Sequence, residues 1–307
     1  MNSSDSTLPN PHSPMVYLPP VVAESFMISA NINLFTMGVL VWDWAMSIPD
    51  EYRILSIGRR LSSSKITYFC SRVFNIAACL CACIIYVLPV SDCHALSKSL
   101  TAFIVLALNT NNLLFFYRVR AVYGNSRGVT FFFGSCYMVV CVTSCFVPST
   151  LDATHIGPTA YCINSEIKPW LSALSVVFNA VNDTLVFLAI SYRIASTTMG
   201  AKELLQNGQL GYLSTVVLNM TQIILGFTTE YGTLIAMPVV AIQHIMTCRV
   251  HRAVILGLIT SKQPPNLPVM LTTFIPSVDT STTDDRLDAK KPLELQEGEL
   301  AWPAGAV

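Results

Sequence analysis

The sequence predicts an all-α integral membrane protein, a bundle of seven transmembrane helices with the N-terminus outside and the C-terminus in the cytoplasm. Three observations carry this expectation. Hydrophobic residues make up 52% of the 307-residue chain and charged residues 12%, where soluble domains hold about a quarter charged. The charge deficit falls in windows long enough for the roughly 20 residues that a membrane-spanning helix needs. Lys and Arg gather in alternate connections between those windows, as cytoplasmic loops do.

The first 24 residues are rich in Ser, Asn and Pro and contain no Lys or Arg. They lack the basic start and short apolar run of a cleavable signal peptide, so they read as an exoplasmic tail. Asn2-Ser3-Ser4 matches a glycosylation sequon. Apolar segments then run over 25–46, 66–90, 96–117, 129–147 and 170–192. The stretch 210–248 is too long for one helix and divides at Thr228-Thr229-Glu230-Tyr231-Gly232, giving helices six and seven. Left undivided, it would give six spans and an exoplasmic C-terminus.

Charge placement favours seven. Arg53, Arg59, Arg60 and Lys65 follow helix one; Arg118, Arg120 and Arg127 follow helix three; Arg193 and Lys202 follow helix five; Arg249 and Arg252 follow helix seven. The intervening loops hold only Lys98 and Lys168. The membrane domain is thus expected over 25–258. Residues 259–307, with Pro264, Pro265, Pro268, Pro276 and a Ser/Thr/Asp run, lack the apolar surface to order themselves and read as a disordered cytoplasmic tail.

Most of the ten cysteines lie inside spans. Cys79, Cys81 and Cys83 cannot converge on a metal, because helical residues two apart point about 200° away from each other. Cys93, before helix three, and Cys162, in the loop between helices four and five, fall on the exoplasmic side, where disulfides persist. They read as a bridge, with two free thiols as the alternative.

Ionisable groups in hydrocarbon need partners or a cavity. Asp43 and Arg72 lie near the inner ends of helices one and two and reach similar depth, so an ion pair between them is expected. Asn179, Asn182 and Asp183 share a face of helix five, and Asn109 and Asn112 are read as sharing a face of helix three. Asn219 and His244 lie at a depth that could join the same layer. The layer reads either as interhelical hydrogen bonds or as a polar cavity ending on Asp183 that holds a cation, a proton or a ligand.

Other chemistries lack their residues. Helix seven carries no lysine from Thr233 to Cys248 for a retinal Schiff base, and the five histidines are scattered. There is no phosphate-binding glycine loop and no Gly-x-Ser-x-Gly elbow. No catalytic residue, metal or cofactor is expected, and zero net charge gives no field for nucleic acid.

The run Trp42-Asp43-Trp44 through Pro49-Asp50-Glu51-Tyr52-Arg53, followed by Lys65-Ile66-Thr67-Tyr68-Phe69 and Arg72, resembles an uncharacterised fungal family of multi-pass membrane proteins with an N-terminal DUF-6533-type domain. The domain-like part covers about 30–78, and Asp43, Glu51, Lys65 and Arg72 match its pattern. The usual aromatic after the helix-two arginine is Val73 here. The likeness continues through Arg118-Val119-Arg120-Ala121-Val122-Tyr123-Gly124, Asp183-Thr184-Leu185 and Cys248-Arg249. It implies a seven-helix membrane protein of unknown activity. Two function classes stay open: a receptor-like bundle meeting a cytoplasmic signalling partner through Arg118 and Arg120, or a small-solute or proton-coupled transporter or lipid-interacting scaffold. Either would contact the lipid bilayer of the plasma membrane or another secretory-pathway membrane.

Overall fold

The computed structural model describes residues 14–56, 63–166, 169–196, 202–228 and 234–260. Among them are seven α-helices: α1 (Pro20–Ser56), α2 (Ser63–Val87), α3 (Cys93–Val122), α4 (Arg127–Ser144), α5 (Pro169–Ala195), α6 (Lys202–Thr228) and α7 (Ala236–Thr260). An antiparallel pair, β1 (Leu151–His155) and β2 (Cys162–Glu166), sits between α4 and α5. Outside the described residues lie the Asn2 sequon, Arg59, Arg60, Lys168, the 229–233 break and the tail from 261 onward.

Among the described residues, five helical stretches, those of α1 to α5, are long and apolar enough to cross a membrane, and α6 adds a shorter apolar stretch, Leu213–Gly226. The distribution of side chains is that of a bundle bathed in lipid. The buried residues of α1 recur every three or four positions, as Phe26, Ser29, Asn33, Thr36, Leu40, Asp43, Ser47, Glu51 and Ile54. Its outward residues include Phe35, Val41, Trp42, Trp44 and Met46. The inward stripe is mostly polar and the outward face apolar, the reverse of a helix on a water-soluble domain. Phe131 and Val73 are likewise exposed. These features fit a multi-pass membrane protein.

Element ends differ from the sequence reading. α1 continues ten residues past Met46, through Pro49, because Glu51 and Ile54 extend its buried stripe. α3 starts at Cys93, where Asp92 caps it by accepting from the Ala95 N–H at 3.0 Å. It ends where Gly124 and Asn125 take positive φ (58° and 60°), a turn that glycine enters without side-chain strain. α6 stops at Thr228 and α7 starts at Ala236, so the last apolar stretch forms two helices.

α3 is central, packing on α2, α4, α5 and α7, while α1 packs on α2 and α7 and α6 on α5 and α7. Apolar clusters fill the joints: Phe115, Val119, Phe133, Val186 and Ile190 join α3, α4 and α5, and Leu40, Cys79, Ala241 and Ile245 join α1, α2 and α7.

The segment expected as a plain loop between helices four and five is a β-hairpin in register from Leu151↔Glu166 to His155↔Cys162. Cys162 is joined to Cys93 by a disulfide, with Cα atoms 5.6 Å apart, so the hairpin is fixed to the start of α3. Lys98 reinforces this attachment by donating to the carbonyls of Pro148 and Leu151 at 2.8 and 3.0 Å. His94 lies 2.7 Å from Asp152, and this bond, with the Ala153 N–H, holds the Asp152 carboxyl below its ordinary range. At the tip, Gly157 has φ +55° and its α-carbon faces the Tyr17 ring, where a Cβ would come within 3.0 Å. Any larger residue there would strain both backbone and contact.

The bridge closes a 69-residue separation. Chain-entropy reasoning puts its loss at up to about 4.4 kcal/mol, less where membrane helices keep the unfolded chain compact. Converting both cysteines to serine should therefore lower the melting temperature in detergent. In native membranes Cys93 should resist alkylation until a reductant is added.

Candidate functional site

Two polar networks occupy the bundle interior, and both end on α7. The first forms at the α1–α2 junction. Arg72 on α2 is 4% exposed and faces two carboxylates of α1. Its Nη2 donates to Asp43 Oδ2 at 3.4 Å, and its Nε lies 3.0 Å from Glu51 Oε1, off the N–H direction. The latter contact is thus an ion pair rather than a hydrogen bond. Tyr68 O–H and Ser47 O–H both donate to the same Glu51 oxygen, at 2.9 and 3.3 Å. Arg72 also lies over the Tyr68 ring, 5.3 Å from its centroid.

The expected Asp43–Arg72 pair is therefore part of a larger cluster, which α7 completes. Arg249 Nε donates to Asp43 Oδ1 at 2.9 Å, Arg252 Nη1 donates to the Tyr68 oxygen at 3.1 Å, and Arg252 Nε lies 3.9 Å from Asp50. His251 stacks on Tyr68 and meets Ser64 Oγ at 3.3 Å. Lys65 does not join the carboxylates; it donates to the Ile54 carbonyl at 2.8 Å and so ties the start of α2 to the end of α1. The four residues that carried the family pattern, Asp43, Glu51, Lys65 and Arg72, thus all serve one helix–helix junction.

The second network centres on Asp183, 3% exposed on α5. Its Oδ2 accepts from Asn219 Nδ2 on α6 at 2.7 Å and Gln243 Nε2 on α7 at 2.7 Å, with Asn179 Nδ2 farther at 3.5 Å. Gln243 also donates to Asn219 Oδ1 at 3.1 Å. From α3, Asn112 donates to Asn179 Oδ1 at 2.8 Å and accepts from Asn182 at 2.9 Å. Asp183 Oδ1 has no partner among the described residues. Leu108, Asn111, Asn112, Phe115, Asn179, Asp183, Gln243 and Thr247 line a small void with room for about one water molecule.

Several expected members sit elsewhere. Asn109 does not line this void, and its Oδ1 is buried without a partner among the described residues. The residue beside Asn112 that does line it is Asn111, because the inward face of α3 runs Leu108, Asn111, Asn112, Phe115 at helical spacing. His244 borders the network from behind, meeting Asn111 Oδ1 at 3.1 Å. Gln243, absent from the sequence grouping, donates directly to Asp183; the signal that marks the asparagines, an amide within an apolar run, marks it as well. Arg118 is not an exposed contact for a cytoplasmic partner: it is 6% exposed, and its Nη2 donates to the Thr247 carbonyl at 2.8 Å. Arg120 is exposed and bonds Asn125 Oδ1 at 2.8 Å. Tyr123 donates to the Ala189 carbonyl at 2.8 Å with Arg193 over its ring, so the end of the Arg118–Gly124 run, which falls mostly within the last turns of α3, packs against α5.

The thiols form no cluster within α2; Cys79 and Cys83 are buried one turn apart, and Cys83 Sγ lies 3.5 Å from the Asn33 carbonyl. Cys93, His155 and Cys162 are close enough to hold an ion, but the disulfide removes both thiolates from ligation. Cys248 is fully buried beside His244, out of reach of lipid attachment.

No family model matches the chain, and no curated protein matches it.

Removing one member of a buried ion cluster leaves the others uncompensated, at roughly 3–5 kcal/mol. Arg72→Met should therefore destabilise strongly, and adding Asp43→Asn and Glu51→Gln should recover much of the loss in thermal melts. Asn112→Leu leaves two amides short of a partner and should cost about 1–3 kcal/mol, whereas Asn109→Leu should be close to neutral, since its oxygen has no bond to lose.

Proposed function

We propose that the chain is a receptor-like, non-enzymatic membrane protein with seven transmembrane helices, its N-terminus outside and its tail in the cytoplasm. The observation that carries this reading is the position of α7. This helix is held by side-chain bonds on several sides: Gln243 to Asp183 and Asn219, His244 to Asn111, Arg249 to Asp43 and Arg252 to Tyr68. Interhelical hydrogen bonds in membranes average only about 0.6 kcal/mol, because each group finds substitutes easily. The neutral bonds of α7, Gln243 to Asn219 and His244 to Asn111, can therefore be exchanged at modest cost, as a signal-transmitting element must, while the Arg249–Asp43 ion pair anchors its end.

Charge and redox chemistry support the orientation. The end bearing Arg53, Lys65, Arg120, Arg127, Arg193, Arg249 and Arg252 meets the preference of cytoplasmic loops for basic residues. The opposite end carries the disulfide-bonded hairpin, which suits an oxidising exoplasmic space such as that facing the plasma membrane or secretory-pathway membranes. The apolar rim of Phe35, Trp42, Phe131 and Leu188 is the surface that the lipid bilayer would cover. Exposed Arg120 remains available to a cytoplasmic signalling partner, and Arg118 is withdrawn from that role. Membership of the DUF-6533-type fungal family is part of this proposal and rests on the sequence resemblance at Asp43, Glu51, Lys65 and Arg72 alone. A second reading, transport, has one observation in its favour: a carboxylate beside a small void. That void suits an ion or proton rather than an organic solute.

A reporter fused to the C-terminal tail should give a cytoplasmic signal in cells; an exoplasmic signal would contradict the seven-span reading. In proteoliposomes the protein should produce no sodium or proton flux above empty vesicles. A flux abolished by Asp183→Asn would favour transport and count against the receptor-like reading.

A further inference from the structure

We propose that Asp183 and the void beside it form a binding site for a small monovalent cation, for which sodium is the test ion. The argument starts from an imbalance of charge. Asp183 is buried among α3, α5, α6 and α7, yet the Arg side chains that pair with carboxylates inside this bundle go to Asp43, Asp50 and Glu51. No Lys or Arg pairs with Asp183 among the described residues. Its neighbours are neutral: Asn112 and Asn111 from α3, Asn179 and Asn182 on its own helix, Asn219 from α6, and Gln243, His244 and Thr247 from α7.

The amide donors crowd one oxygen, Oδ2, and leave Oδ1 without a partner. A buried charge met only by neutral dipoles is expensive. An acceptor left bare on a side chain that lines a void is where a cation or a water would sit. The surrounding donor set is made of hard oxygens, which prefer hard cations. Thr247 spends its hydroxyl proton on the Gln243 carbonyl at 2.8 Å, so its oxygen lone pairs stay free. Asn111 Oδ1 is engaged by His244 and keeps a second lone pair. One carboxylate balances one positive charge, so a divalent ion would leave a buried excess. The void, with room for about one water, limits the occupant to a bare or nearly bare ion. The inference concerns the bundle interior and stands whether the bundle signals or transports.

The test uses the full chain in detergent, melted in sodium chloride and in choline chloride at equal ionic strength. Binding to the folded state raises stability as the logarithm of one plus the ratio of free ion to its dissociation constant. At ten times the dissociation constant, sodium should raise the melting temperature by about 3–6 °C over choline. Asp183→Asn should abolish the difference. Leu108→Phe, which fills the void and keeps the carboxylate, should also abolish it and decides the matter if the first variant does not fold. Equal melting of the unmodified chain in both salts would overturn the site, leaving water as the occupant. So would a sodium-specific shift that survives in a folded Asp183→Asn or Leu108→Phe protein. The readout needs neither flux nor partner recruitment, so its failure is separate from failure of the receptor-like reading.

Discussion

Arg72 lies between two carboxylates of α1, and the packing of α1, α2 and α7 is arranged around that contact. A guanidinium buried away from water needs compensating negative charge close by, and here two carboxylates supply it, Asp43 by a hydrogen bond and Glu51 by an ion pair. Asp43 and Glu51, eight residues apart on one helix face, supply the two partners. That requirement explains why α1 runs past Pro49: only a continuous helix brings Glu51 onto the same stripe as Asp43. Asp43 then has a second oxygen to spare, and Arg249 takes it. Arg249 is half exposed (48% at the side chain), while Arg72 is sealed, so the cluster grades from interior to surface.

The polar character of α7 follows from its place. Among the described residues, the five stretches that meet the length and apolarity needed to cross a membrane belong to α1 through α5. α7 packs against α1, α2, α3 and α6, and neighbours shield Gln243, His244, Thr247, His251 and Arg252. A helix screened on that many sides need not be apolar to lie within a bundle, because its polar groups bond to other helices. The cost moves to the partners, which must carry matching groups at the same depth. Asn111 on α3, Asp183 on α5 and Asn219 on α6 do so in one layer, and Asp43 and Tyr68 do so at the cluster.

Much of this was legible in the sequence because two signals are strong in membrane chains. Long apolar windows locate helices, and rare polar residues within them mark inward faces. Asn112, Asn179, Asn182, Asp183 and Asn219 could be grouped from spacing and depth, and they meet in the structure. Spacing could not choose between Asn109 and Asn111, which lie on different faces of α3, because three asparagines in four positions leave the inward direction undetermined. Gln243 and Arg118 were hidden for a related reason. Gln243 carries the same signal as the asparagines but has no second amide on its own helix to form a pattern, and an arginine at a helix end looks like a loop cation until a facing carbonyl, here that of Thr247, draws it inward. The hairpin was hidden because Leu151–His155 and Cys162–Glu166 are short, mixed in polarity and paired only through one another.

The central claim is that α7 is a separate helix seated against the α1–α2 junction. Cysteine cross-linking in native membranes tests it most directly, using Ser64→Cys with His251→Cys, whose native side chains touch at 3.3 Å. Mild oxidation followed by peptide mapping should identify a linkage between those two positions within one chain. Failure of the pair to cross-link in protein that retains the Cys93–Cys162 bridge would contradict the placement of α7, and with it the junction of the two polar networks.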